Sequence, residues 1–423
     1  MGSITSTPAI YIGCKMTPQK TLKAFLATAR AALTAPPSNR STPLHFVVGN
    51  ESADLDSLCS ALILAYFRTH TPPHTLHIPL CHLPRSDLAL RPEFTAALAG
   101  ASLAPDDVLT LSELPSPADL RPEDSRWLLV DHNAMTGDLG RVYGSAVVGC
   151  IDHHEDEGVV ARGGAAVRVL EKSGSCMSLV LEHCREAWEA LSREHGTEGN
   201  KEANAQLARL ALAPILIDTS ALGNRDKTTD HDERAVAIAE ARVRVSDGEY
   251  DRGWFFCQLT KLKEDITGMS LGDVFRKDYK EWDEGPGAGA RLKLGTSSVP
   301  QAFATLVHKA GGEGAFVAEL EKWGALKEVD LVAVLTTSKE GDEKFRREML
   351  VWARTGPEAV RAAKAFVRSH GEELGLGTWG DGKLDAEEGD TSWRRCWTQD
   401  RVENSRKQIA PMLRDALKEN AKT

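Results

Sequence analysis

The sequence has no long hydrophobic run: nothing in its 423 residues approaches the roughly 20 consecutive apolar residues that a membrane-spanning helix needs. Its start, MGSITSTPAIYIGCK, lacks the charged opening and continuous apolar core of a secretory signal. These absences predict a cytoplasmic protein with no membrane partner. A mitochondrial pool stays open, because the segment up to Ser41 is basic and holds no acid. Gly2 and Ser6 fit a loose myristoylation pattern of the kind that arises by chance. Paired cysteines are missing as well. Cys14, Cys59, Cys81, Cys150, Cys176, Cys184, Cys257 and Cys396 lie apart with no CxxC spacing, so neither a zinc ribbon nor a disulfide frame is expected. There is no excess of positive charge: 51 Lys and Arg against 61 Asp and Glu give −10 at pH 7, which excludes a general nucleic-acid coat. A small anionic substrate is not excluded, since bound cations reverse the field locally.

What is present is alternation. LHFVVGN (44–50), RWLLVDHN (126–133), SAVVGCIDHH (145–154) and LAPILIDTS (212–220) read as strands, with helical patterns at 56–70 and 176–196. That order predicts an α/β fold with a mainly parallel sheet flanked by helices. The length suggests two domains, divided near residue 245 into 1–245 and 246–423. A charged stretch from Asp226 to Trp282 carries helical periodicity and ends at the glycine-rich EGPGAGAR. Beyond it, strands at RLKLGTSSV, VDLVAVLTTS and REMLVWAR and two helices predict a second, smaller α/β domain. GDGKLDAEEGD (380–390) reads as a surface loop.

Each strand candidate of the first domain ends in an aspartate, or in an asparagine followed by aspartates. Asp54 and Asp56 follow Asn50 at spacing i, i+2; Asp131 closes the second strand; Asp152, His153 and His154 close the third; Asp218 closes the fourth. One such aspartate alone is ordinarily a helix cap or turn former. The joint occurrence points to metal, because hard divalent cations take carboxylates with one or two imidazoles, and two cations roughly 3.5–4 Å apart need a bridging carboxylate.

GNESADLDS, DHN, IDHH and LIDTS, in this order, resemble the DHH phosphoesterase superfamily, with the signature at Asp152-His153-His154. RKDYKEW, LGTSSV and NSRKQIAP resemble the second domain shared by family II inorganic pyrophosphatases and eukaryotic exopolyphosphatases. Asn50, where pyrophosphatases typically carry a histidine, together with the length, looks closer to fungal exopolyphosphatase.

The resemblance implies an active site in the cleft between the domains. Asp54 and Asp131 would bind one cation, with Asn50 near it, and Asp56, Asp131, His153 and Asp218 the other. His154 would face the phosphoryl group, Asp152 would orient the neighbouring ligands, and Lys280, Arg406 and Lys407 would bind substrate. The implied cofactor is a pair of divalent ions, Mg²⁺ favoured by the amide oxygen of Asn50, with Mn²⁺ or Co²⁺ as alternatives. The implied reaction is hydrolysis of the terminal phosphoanhydride of inorganic polyphosphate by a water activated between the two ions, in a monomer. Pyrophosphate or a short oligophosphate or nucleotide is the alternative substrate. A catalytically silent regulatory protein is the alternative of another class, against which the complete ligand set speaks.

Overall fold

The computed structural model describes residues 21–162, 167–194, 199–285, 291–340 and 344–420. Gly2, Ser6, Cys14 and most of the GPGAGA segment lie outside them. Among the described residues no helix is long and apolar enough to cross a membrane.

The first half runs α1 (Leu22–Thr34), β1 (Leu44–Val48), α2 (Leu55–His70), β2 (His77–Leu80), α3 (Pro92–Gly100), β3 (Ser125–Val130), α4 (Gly137–Tyr143), β4 (Val147–Asp152), β5 (Arg168–Leu170), α5 (Cys176–Glu194), α6 (Gly199–Asp218) and α7 (Asp230–Ser246). A parallel sheet in the order β2-β1-β3-β4-β5 lies at its centre. Alternate side chains face opposite layers, as a pleated strand requires. Phe46 stacks on Trp127 at 4.3 Å against Leu33 and Tyr143, whereas Val47 and Leu128 join the other layer with α2, α5 and α6. Strand ends of such a sheet are where open α/β folds hold ligands.

LAPILIDTS, expected as a strand, is the end of α6. Its neighbours Leu207, Ala208 and Leu210 to Ala213 are buried with it, so the helix is apolar on every side and shows no amphipathic period. A short apolar run of this kind cannot be told from a buried strand by periodicity, and Pro214 inside the helix disguised it further. Asp218 therefore stands at a helix C-terminus.

The second half runs α8 (Arg252–Glu264), α9 (Leu271–Lys277), β6 (Tyr279–Glu284), β7 (Leu292–Val299), α10 (Phe303–Ala310), α11 (Glu313–Leu326), β8 (Leu331–Glu340), β9 (Lys344–Ala353), α12 (Gly356–Leu374), β10 (Leu376–Thr378), β11 (Ala386–Glu388), β12 (Ser392–Gln399) and α13 (Arg406–Asn420). Its mixed sheet is ordered β10-β12-β9-β8-β7-β6, with β11 on β12. α12 and α13 cover one face through Phe366 and Leu413, and α9, α10 and α11 the other through Phe275, Phe303 and Phe316. The helical period expected up to Trp282 stops at Lys277. YKEWDE is β6, an edge strand paired antiparallel with β7, and its charges suit an unpaired edge while masking the strand pattern. GDGKLDAEEGD is more than a loop: Leu384 is buried and Ala386–Glu388 pairs with β12. Leu259 of α8 belongs to the core of the first half, and Ile266 to that of the second.

Candidate metal and phosphate site

Asp131 stands immediately after β3 with φ 61°, in the left-handed region that aspartate tolerates better than most residues. Its N–H donates to Ile151 O at 3.1 Å and to Cys176 Sγ at 3.2 Å. Its carboxylate Oδ2 accepts from Ser57 Oγ at 2.7 Å and Asn50 Nδ2 at 2.8 Å. Asn50 also donates to the Asp131 carbonyl at 3.0 Å, and its own Oδ1 accepts from Ser52 N at 2.9 Å. The amide thus holds Asp131 in place, and Oδ1 of Asp131 is left facing His153 Nε2 at 3.1 Å.

The two histidines are oriented from behind. His153 Nδ1 donates to Ser173 O at 3.0 Å, turning Nε2 toward Asp131, where Lys407 Nζ also reaches it at 2.8 Å. Burial and the Lys407 charge oppose protonation of His153, but the Asp131 carboxylate outweighs them and raises its pKa. His154 Nδ1 donates to Asp152 Oδ1 at 2.7 Å, and burial lowers its pKa to about 4, so the ring is neutral at pH 7 with Nε2 as an acceptor. Asp152 is filled with donors: besides His154 it accepts from His153 N at 2.8 Å and Asn133 Nδ2 at 2.6 Å. One ligating atom from each of Asp131, Asp152, His153 and His154 lies within 4.8 Å of the others.

Asp54 caps α2, accepting from Ser57 N at 3.0 Å. Asp56, two residues on, accepts from Ser175 Oγ at 2.9 Å, Cys176 N at 2.7 Å and Met177 N at 3.0 Å, and so caps α5. Burial, then the charges of Asp131, Asp218 and Asp278, push the Asp54 carboxyl up to about 6. Burial and the same neighbours Asp131 and Asp218 push Asp56 well above the usual carboxylate range. Asp218 is also raised by burial, and its position at the negative end of α6 adds to the repulsion. Buried acids whose charges act on one another resist ionising together, and a divalent cation would relieve them. Oxygen donors with an imidazole fit a hard cation such as Mg²⁺ or Mn²⁺.

The opposite wall belongs to the second half. The pKa of Lys280, on β6, is lowered by burial and by the Arg406 charge, against the opposing pull of Asp131 and Asp54, so its ammonium lies within electrostatic reach of both acids. Arg406 donates to Asp278 O at 3.0 Å, Asp278 Oδ1 at 2.7 Å and Ser52 Oγ at 3.0 Å, so its fork ties β6 to the Asn50–Asp56 turn. Lys227 and Lys263, charge neighbours of Asp218, were not anticipated from sequence; neither sits in a motif with chemical spacing. Ser57, Asn133 and Ser173 were missed too. Only the hydroxyl at three residues after Asp54, a capping distance, offered a signal.

The model of the DHH family, N-terminal domain, matches residues 45–215, and that of the DHHA2 domain matches residues 258–416. The chain is 32% identical over 377 residues to the "Putative exopolyphosphatase" of Schizosaccharomyces pombe, covering 89% of this chain and 91% of that one. It is 24% identical to human "Exopolyphosphatase PRUNE1", covering 93% and 79%. A "Manganese-dependent inorganic pyrophosphatase" of Methanothrix thermoacetophila is 24% identical, covering 69% and 80%. Among solved structures, the "putative family II inorganic pyrophosphatase" of Methanococcus jannaschii shares the fold, with TM-score 0.56 and 20% identity over 88% of this chain and 99% of that chain. The chain belongs to the DHH phosphoesterase superfamily, in the branch that joins a DHH domain to a DHHA2 domain, and is a hydrolase of phosphoanhydride bonds.

Proposed function

We propose that the protein is an exopolyphosphatase that removes the terminal phosphate of linear inorganic polyphosphate in the cleft between its two halves. The packing of Leu259 and Ile266 leads us to set the division of labour between those residues rather than at 245, with the acids on the first side and the cations on the second. The observation that carries the reading is Asp131: a buried carboxylate in a left-handed turn, with one oxygen tied down by Ser57 and Asn50 and the other facing His153.

In this reading Asp54, Asp56, Asp131, His153 and Asp218 hold two divalent ions. Bound there, the ions supply charge neutralisation on the phosphoryl oxygens and lower the pKa of water toward neutrality. The chain's own residues do the rest. Ser57 and Asn50 fix which oxygen of Asp131 faces the cleft, and Ser173 fixes which nitrogen of His153 does so. Asp152 holds His154 with Nε2 outward, so its donation to a phosphoryl oxygen requires a second proton, which an anionic substrate favours. Lys280 and Lys407 supply positive charge for the polyanion.

The full chain with Mg²⁺ or Mn²⁺ is expected to release orthophosphate from long-chain polyphosphate without internal fragments. The relatives named for pyrophosphate hydrolysis make pyrophosphate the comparison substrate. Turnover of pyrophosphate alone would replace polyphosphate in this reading.

A further inference from the structure

Arg91, the residue before α3, is 4% exposed, and among the described residues it forms no ion pair. Its guanidinium is spent on backbone: Nε donates to Ala53 O at 2.5 Å and Nη2 to Ser52 O at 2.6 Å, while Nη2 also reaches Lys277 O. Two of these carbonyls belong to the turn that carries Asn50, Asp54 and Asp56. The third ends α9, three residues before Lys280. Ala53 holds φ 46°, a strained conformation for a residue with a Cβ, and such strain persists only where surrounding contacts over-determine it.

We propose that Arg91 is a positioning residue that locks the backbone of the acid-bearing turn of the first half to the start of the phosphate-facing strand of the second, beside the side-chain tie that Arg406 makes, so that metal ligands and Lys280 are set relative to one another. Burial opposes the Arg91 charge, the carboxylates of Glu93, Asp278, Asp54 and Asp87 favour it from beyond ion-pair distance, and with Nη1 unpartnered among the described residues the backbone carbonyls on Nε and Nη2 carry its hydrogen bonding. Arginine suits the task because its planar fork meets several carbonyls at once, which an ammonium cannot. Of the other contacts across this seam, Lys277 with Glu93 at 3.4 Å and Arg276 with Asp87 at 3.3 Å do not touch the turn, whereas Arg406 reaches the Ser52 hydroxyl at 3.0 Å and Glu281 N the Glu51 carboxylate at 3.4 Å; Arg91 alone among these takes the turn's backbone carbonyls.

The test uses hydrogen exchange and Mn²⁺ titration on the full chain, with tripolyphosphate kinetics beside them. Arg91→Met is expected to speed exchange at 52–56 and 278–281 while leaving β8 and β9 unchanged. It is expected to weaken Mn²⁺ binding about tenfold and to raise KM more than it lowers kcat. Arg91→Lys, which keeps the charge but not the fork, should fall between and carries the test if the methionine variant does not fold. The paired change Lys277→Met with Glu93→Gln leaves the Lys277 carbonyl in place and should leave the turn's exchange at the wild-type rate. Wild-type exchange and Mn²⁺ affinity in the Arg91 variants, or an equal loosening in the paired change, would overturn the proposal. The KM arm rests on the hydrolase reading; a wild-type protein that releases no phosphate sinks that reading, while exchange still decides Arg91.

Discussion

His153 Nε2 lies 3.1 Å from Asp131 Oδ1, so the tips of β4 and β3, neighbours in the parallel sheet, present an imidazole and a carboxylate to one point. Burial raises the Asp131 pKa, but the His153 hydrogen bond and the nearby His154 and Lys407 charges more than offset this and hold it below the usual carboxylate range. Asp131 is thus the acid that stays ionised, while Asp54 and Asp56 beside it are held back from ionising.

Asp131→Asn separates charge from shape. Asparagine is among the few residues that accept φ near 61° readily, whereas alanine there would add roughly 1 kcal/mol or more of strain. The variant should melt within a few degrees of wild type while phosphate release falls by roughly a thousandfold or more. Retained turnover in a folded variant would remove Asp131 from the metal set.

The acids also make stability depend on pH in a definite direction. Asp54 has a folded pKa of about 6 against an ordinary 3.8, so the folded state holds its proton more tightly and metal-free stability falls as pH rises through that window. His153, raised above 6.5, contributes stability that is present below its unfolded value and lost as pH climbs through the folded one. Mn²⁺ must displace these protons, so its gain in melting temperature should be larger at about pH 8 than at about pH 5. Equal gains at both would show that these groups do not take the cation.

Gly49 permits the close approach that brings Ser57 to Asp131. A Cβ there would lie 2.5 Å from Ser57 Cβ and 2.8 Å from its Cα and carbonyl oxygen, and backbone cannot step aside. Gly49→Ala should cost about 1–3 kcal/mol and lower activity beyond what the lost stability explains, because Ser57 is pushed off the Asp131 carboxylate. Gly144→Ala, with nothing within 4 Å of its new methyl, is the control for melting and rate.

Lys280→Ala probes the other wall. Loss of a charged contact to phosphate is worth about 1.5–3 kcal/mol, which predicts a KM for polyphosphate higher by roughly 10- to 100-fold. Mn²⁺ affinity measured by calorimetry should barely move. A parallel loss of metal affinity would assign Lys280 to the acids instead of the substrate.

Much of the first half was legible. LHFVV, RWLLV and VVGCID carry β-branched and aromatic residues that end abruptly in polar ones, and each became a strand of the parallel sheet, with Asp131 and Asp152 at the tips of two and Asn50 after the third. LAPILID failed because a helix buried on all sides has no polar face to set a period, and YKEWDE failed because a half-buried edge strand with alternating charges is as polar as a helix surface.

Sequence by itself determined which acids and imidazoles exist, that they close apolar segments, and that two α/β halves are present, since hydrophobic period and residue chemistry are local properties. Only the tertiary structure decided their partners. Asn50 turned its amide onto Asp131, Arg406 turned its fork onto Asp278 and Ser52, and Arg91 gathered three carbonyls from two halves of the chain. Those partners are far apart in sequence, and hydrogen-bond pairing across such distances is set by packing, which no local pattern encodes.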